Sequence, residues 1–297
     1  MANAEQHQKI AAGQGFIAAL DQSGGSTPKA LKLYGVNEDQ YSSEAEMYDL
    51  IHAMRSRIAQ SPAFTGDKVI GAILFEMTMD RDIGGKPAAQ YLWEERGIVP
   101  FLKIDKGLEP EANGVQLLKP IPGLGETLDR ARALGIFGTK ERSVINAANA
   151  VGIAANVAQQ FELAAEVIAH DLMPIIEPEV NINAHDKDEA EELLLTEIRH
   201  HLNTLPSGKQ VMLKLTLPTK PNLYKPLVDH PGVLKVVALS GGYSRAEACE
   251  QLALNTGVVA SFSRALTEGL SAQQSDEEFD AMLAKAIDGI HKASISG

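Results

Sequence analysis

Lys214 is the residue in this sequence best placed for covalent chemistry. It lies inside the apolar run 210–216 (QVMLKLT) between Leu213 and Leu215. In an extended strand both neighbours point to the opposite face. A lysine on such a face loses water, which favours the neutral amine and makes it a nucleophile toward a carbonyl carbon. The same placement also fits an interior lysine paired for stability alone, and Glu177 and Glu179 in 173–179 (MPIIEPE) are the candidate partners. Lys103 in 99–105 (VPFLKID), Lys140 in 136–142 (IFGTKER) and Asp21 in 15–21 (GFIAALD) stand near the ends of other apolar runs. Converging cations lower one another's pKa, and converging carboxylates supply proton donors and acceptors at tuned values.

A second set of residues suits phosphate. SGGYSR (240–245) and SFSRAL (261–266) end two further runs. Backbone at Gly241 and Gly242 can approach an anion closely, Ser240 offers a hydroxyl, and Arg264 offers a charge-assisted fork. A plain glycine turn fits Gly241-Gly242 as well. DQSGGST (21–27) is a less specific candidate for a second phosphate. His7, His52, His170, His185, His200, His201, His230 and His291 show no HExxH or HxxH spacing and fall mainly in helical or loop stretches, so no metal site and no cofactor is expected.

These residues need a scaffold that gathers strand ends. Eight short apolar runs begin at residues 15, 69, 99, 136, 173, 210, 233 and 258, at intervals of 54, 30, 37, 37, 37, 23 and 25. That spacing is close to a strand plus a crossover helix. Amphipathic stretches at helical period lie between them, at 44–60, 126–134, 150–170, 186–205, 244–254 and 275–293. Ser244 and Ser275 read as capping residues, with Asp276 and Glu277 adding negative charge at the last helix's N-terminus. The long first interval holds TPKALKLYGV, an extra helix or loop. Strand parity places Ile17, Ala19 and Asp21 on one face, likewise Phe101, Lys103 and Asp105, Ile175, Glu177 and Glu179, and Met212, Lys214 and Thr216. The pattern predicts an α/β fold, a (β/α)8 TIM barrel with its site at the C-terminal strand ends, over 1–297 as one domain. An open doubly wound sheet is the alternative, but its GxGxxG fingerprint and a Walker A motif are both absent.

Composition narrows the class further. The 27 Lys plus Arg against 39 Asp plus Glu give a net charge of −12, which disfavours nucleic acid and anionic membranes as partners. Cys249 is the single cysteine, so no intrachain disulfide forms and CxxC motifs are excluded. With no signal-like start and no membrane-length apolar run, a soluble, cytoplasmic protein is expected. Oligomeric state stays open.

In order along nearly the whole chain, these motifs resemble the class I fructose-bisphosphate aldolases, and among them the compact bacterial branch. The strand-end aspartate and its serine- and glycine-containing turn stand here as AALDQSGGS, with Asp21, Ser23 and Ser26. KIDKG holds Lys103, Asp105 and Lys106; FGTKER holds Lys140 and Arg142; PIIEPE holds Glu177 and Glu179. Lys214 in VMLKL matches the Schiff-base lysine, Leu239 to Gly242 match LSGG, and Arg264 in SFSRAL matches the phosphate-binding arginine.

The resemblance implies a lyase with a phosphosugar substrate. Lys214 would form the iminium, Glu177 and Lys140 would assist its formation and dehydration, Asp21 would take the C4 hydroxyl proton, and Glu179 would support the network. Ser240, Gly241, Gly242 and Arg264 would hold the C1 phosphate, with Lys103, Ser23, Ser26 and Arg142 facing the C6 phosphate. Three positions depart from the family pattern: Gln22 replaces an acid, Leu215-Thr216 replace Pro-Asn after the lysine, and Glu141 replaces an aromatic residue. The sequence also ends at ISG, where animal enzymes continue into a tail with a terminal tyrosine, so another group or water is expected in that role. A lysine-dependent aldolase for a related phosphosugar such as tagatose bisphosphate is the nearest competing enzyme. A phosphosugar-binding scaffold without turnover would have no need of Lys214, Glu177 and Asp21 together.

Overall fold

A computed structural model describes residues 3–297. Eight strands follow the expected runs: β1 (Phe16–Leu20), β2 (Val69–Leu74), β3 (Val99–Lys103), β4 (Gly138–Ile145), β5 (Met173–Val180), β6 (Val211–Thr216), β7 (Val233–Leu239) and β8 (Val258–Ala260). Each pairs in parallel with the next in chain order. The backbone N–H of Ala19 in β1 donates to Phe262 O just beyond β8 at 3.1 Å, bringing the two ends of the sheet together. The result is a nearly closed TIM barrel.

Helices alternate with the strands: α1 (Ala4–Ala12), α2 (Ser26–Leu33), α3 (Glu44–Gln60), α4 (Leu124–Ala133), α5 (Ala150–Ala169), α6 (Lys187–Leu202), α7 (Arg245–Leu252) and α8 (Asp276–Ser296). The TPKALKLYGV stretch supplies most of α2. Both expected serine caps form full capping boxes: Ser244 Oγ accepts from Glu247 N at 3.3 Å and Ser275 Oγ from Glu278 N at 3.2 Å. α1 was not legible as a helix because it buries only Gln6 and Ile10. Ile10 nonetheless belongs to the same cluster as Ile17, Val99, Phe101 and Phe137.

Alternation sorts the strand side chains as expected. Ile17, Ala19, Phe101, Ile175, Met212 and Val237 pack with one another inside the barrel, while Phe16, Ala18, Ile176, Leu213, Leu215 and Val236 pack toward the helices. Each large side chain buried this way contributes roughly 1.5–3 kcal/mol. β2 interrupts the alternation: Ile70 and Ile73 both face inward, and the β1 pairing shifts register between Phe16 and Ile17. A Cβ at Gly71 would stand 3.1 Å from the Phe101 ring, so glycine lets that ring fill the interior there without being displaced. The expected run 258–264 is strand only to Ala260; Arg264 opens a short helix (Arg264–Thr267) instead. The chain turns there because Ser261 N–H makes the last bond to β7, to Ala238 O at 2.7 Å.

Candidate active site

The C-terminal strand ends open into a cavity of about 770 Å³, within the range of small-molecule sites. Every site residue singled out from the sequence lines it except Gly242. Lys214, only 4% exposed, extends from β6 into the barrel. Its Nζ lies 3.1 Å from Glu177 Oε1 on β5. Glu177 Oε2 lies 2.9 Å from Lys140 Nζ on β4, and Lys140 Nζ lies 2.7 Å from Asp21 Oδ2 at the end of β1. Four buried side chains therefore form one line, Lys214, Glu177, Lys140, Asp21, in which amine and carboxyl group alternate.

The choice between the two glutamates is thereby made. Glu177 reaches both lysines, while Glu179, one pleat further along β5, pairs with Arg142 Nη1 at 2.8 Å near the rim. Lys103 Nζ pairs with Asp105 Oδ1 at 2.6 Å, and Asp105 Oδ2 accepts from the backbone N–H of Arg142 at 3.2 Å. Burial alone would raise the Asp21 carboxyl, but Lys140, Lys214 and Lys103 outweigh it and hold the group far below the usual range. Burial likewise disfavours the Lys140 ammonium, yet Asp21, Glu177 and Asp105 win and push it well above its ordinary value. That corrects the expectation that converging lysines depress one another, because at Lys140 the carboxylates dominate. For Lys103 the expectation holds: burial, with Lys140 adding to it, lowers the ammonium despite Asp105.

On the far side of the mouth, Gly241 and Gly242 adopt φ of 61° and 119°, left-handed values that favour glycine. A Cβ on Gly242 would stand 3.4 Å from Arg264 Nη2, and one on Gly241 would meet Ile182 Cγ2 at 2.5 Å. The bare backbone thus lets the loop, Ser240 and the exposed Arg264 frame one concavity. Ser26 is exposed, and its hydroxyl bonds back onto its own loop, donating to Ser23 O at 2.8 Å while accepting from Ser23 N at 3.0 Å. These bonds shape the turn that opens α2.

Some lining residues were not singled out. Asp105 shares the parity of Lys103 and stood in the same run. Lys29, Tyr48 and Phe75 come from α2, α3 and the segment after β2, where no local pattern marks them. Among the described residues no three His, Cys, Asp or Glu side chains gather as a metal ion would require, and no helix is long and apolar enough to cross a membrane.

Glu141 lies behind the site. It alternates with Lys140 and Arg142 on β4, so its side chain points outward and is fully buried. The Thr139 hydroxyl lies beside it, and neither carboxyl oxygen gains a full hydrogen bond. Burial, reinforced by Asp105 and only partly offset by Lys140, raises its pKa well above the ordinary value. Folding therefore tightens this group's hold on its proton, so its contribution to stability falls as pH climbs past the unfolded-chain value of about 4.3 and keeps falling toward the folded value. Glu141→Gln removes that titration. The expected result is a variant whose Tm advantage over the parent widens from about pH 5 to about pH 8, read by thermal denaturation across that range; a constant difference would show that Glu141 carries the same charge folded and unfolded.

An eight-stranded parallel barrel with buried lysines and carboxylates gathered at the C-terminal ends of its strands has the form of a barrel enzyme. The chain belongs to the class I fructose-bisphosphate aldolase family: that family's model, described as "Glycolytic: Fructose-bisphosphate aldolase class-I", matches residues 3–230. Among solved structures, fructose-bisphosphate aldolase from Plasmodium falciparum, determined with TRAP and a small-molecule inhibitor, superposes with a TM-score of 0.79 at 21% identity, covering 98% of this chain and 93% of that one. A Corynebacterium glutamicum protein superposes with a TM-score of 0.57 at 13% identity, covering 97% and 91%. Both likenesses are of fold.

Proposed function

We propose that this protein, acting as one domain, reversibly cleaves fructose 1,6-bisphosphate to dihydroxyacetone phosphate and glyceraldehyde 3-phosphate through a Schiff base on Lys214, as a cytoplasmic enzyme of glycolysis and gluconeogenesis. The alternating line of Lys214, Glu177, Lys140 and Asp21 supports this reading best. Lys214 Nζ adds to the C2 carbonyl, and the resulting carbinolamine loses its oxygen as water. Glu177 stands within 3.1 Å of Lys214 Nζ and 2.9 Å of Lys140 Nζ, so it can pass the protons that addition and dehydration require.

Asp21, held as a carboxylate by Lys140, takes the C4 hydroxyl proton as the C3–C4 bond breaks. The bonding pair moves into the iminium, giving an enamine and releasing glyceraldehyde 3-phosphate. Protonation at C3 and addition of water then free dihydroxyacetone phosphate and restore Lys214. Ser240, Gly241, Gly242 and Arg264 take the C1 phosphate, and Lys103, Ser23, Ser26 and Arg142 face the C6 phosphate. Glu179 holds Arg142 in place.

The electron sink is the protonated imine, so no metal is needed. Cleavage of fructose 1,6-bisphosphate is therefore expected to be unchanged by EDTA, with triose phosphates as products. Loss of activity on chelation, restored by zinc, would overturn the class of mechanism. Tagatose 1,6-bisphosphate run in parallel tests the C4 configuration: faster turnover there would move the substrate assignment and leave the mechanism standing.

A further inference from the structure

Arg55 on α3 is fully buried, at 0% exposure. Yet its hydrogen-bond partners are all neutral. Nη1 donates to Thr78 Oγ1 at 2.8 Å, while Nη2 donates to the backbone carbonyl of Gln22 and, at 3.3 Å, to Gln22 Oε1. Nε makes no hydrogen bond. Burial pushes the guanidinium down to about 10, with Asp21 acting in the opposite direction. Burying a cation on neutral partners costs more than an apolar side chain of similar volume would in the same place. The packing of α3 therefore gives no reason for an arginine here.

The reason lies in what Gln22 touches. It follows Asp21 directly, and its Nε2 donates to Ser263 Oγ at 2.8 Å. Ser263 directly precedes Arg264. Because arginine only donates, Gln22 must turn its oxygen to Arg55 and its NH2 to Ser263. One line of side chains, Thr78, Arg55, Gln22 and Ser263, thus ties the segment after β2 and helix α3 to the ends of β1 and β8. That line crosses the barrel where β1 and β8 meet through the Ala19 to Phe262 contact and no paired ladder. Asp21 and Arg264 stand on opposite sides of this juncture. An acid at position 22, the family's pattern, would neutralise Arg55 but would have no donor for Ser263.

We propose that Arg55 is a positioning residue which, through Gln22, fixes Asp21 and the Ser263–Arg264 segment relative to each other across the juncture of β1 and β8. The inference rests on the aldolase reading above, in which Asp21 and Arg264 contact opposite parts of one substrate. Small displacements between such groups cost on the order of 10- to 100-fold in rate.

The test compares wild type, Arg55→Met, Gln22→Leu and the double variant. For each, Tm, kcat and KM for fructose 1,6-bisphosphate are measured, together with borohydride trapping of saturating dihydroxyacetone phosphate on Lys214. Arg55→Met is expected to keep or raise Tm, since it removes a buried charge, to keep the trapped adduct, and to lose about 10- to 100-fold in kcat/KM. Gln22→Leu breaks the same line and is expected to lose a similar factor, with the double variant no worse than either single one. If Arg55→Met lowers Tm while kcat/KM stays within about twofold, Arg55 serves the fold alone. If the two losses multiply in the double variant, Arg55 does not act through Gln22, and the inference is again overturned. Absence of an adduct on wild-type Lys214 would instead overturn the Schiff-base reading itself, an outcome distinct from unaltered kinetics with a normal adduct.

Discussion

Lys214→Met is expected to abolish cleavage, by at least about 10⁴-fold in kcat, while leaving the barrel folded. The size of the loss follows from the role: without the amine there is no covalent route, and removing a covalent nucleophile takes away a whole mechanism and not one contact. The folding half follows from the structure. Methionine keeps much of the lysine stem's volume beside the apolar interior, and the carboxylate it abandons is not left alone, because Glu177 Oε2 stays 2.9 Å from Lys140 Nζ. A buried charge that retains one partner avoids the heavy penalty of an orphaned ion. Dihydroxyacetone phosphate with borohydride should leave a reduced adduct on the wild-type peptide containing Lys214 and none on the variant, as read by mass spectrometry. An adduct on Lys140 or Lys103, or near-wild-type turnover by a folded Lys214→Met, would sink the mechanism.

The features that make this prediction possible were largely visible in the residue order. Short apolar runs recurring at barrel spacing, each closing on a polar or charged residue, together with the parity of four of them, located Lys214, Lys103, Asp21 and the two glutamates on interior faces. Period-two alternation is local, so a sequence displays it directly. What was hidden depends on where strands sit relative to one another. Parity alone could not say that Glu177 and not Glu179 lies beside Lys214, because both share a face of β5; the stagger of β4, β5 and β6 decides it. Nor could it show that Arg264 leaves the strand for a helical turn, since 258–264 reads as one run. Arg55 was the least legible of all. It lies in an ordinary amphipathic helix, and only the packing of α3 against the end of β1 reveals that its partner is Gln22.

Glu177→Gln is expected to lower kcat by about 10²–10⁴-fold, the range for removing a positioned acid or base, and to do so at a different step from Asp21→Asn. Glutamine keeps the shape and can still reach Lys140, but it cannot shuttle protons during imine formation and dehydration. The rate of borohydride-trappable adduct formation at Lys214 should therefore fall together with kcat. Asp21 acts only after the iminium exists, when the C4 hydroxyl gives up its proton. Asp21→Asn should accordingly form adduct from fructose 1,6-bisphosphate at close to the wild-type rate and fail to release glyceraldehyde 3-phosphate. Both substitutions take a carboxylate from the buried line, so each variant is assayed well below its own Tm. Rapid-quench trapping against product release in a single turnover separates the two steps. If Glu177→Gln formed adduct as fast as wild type and stalled only at release, or if Asp21→Asn failed to form it, the roles assigned to the two carboxylates would have to be exchanged.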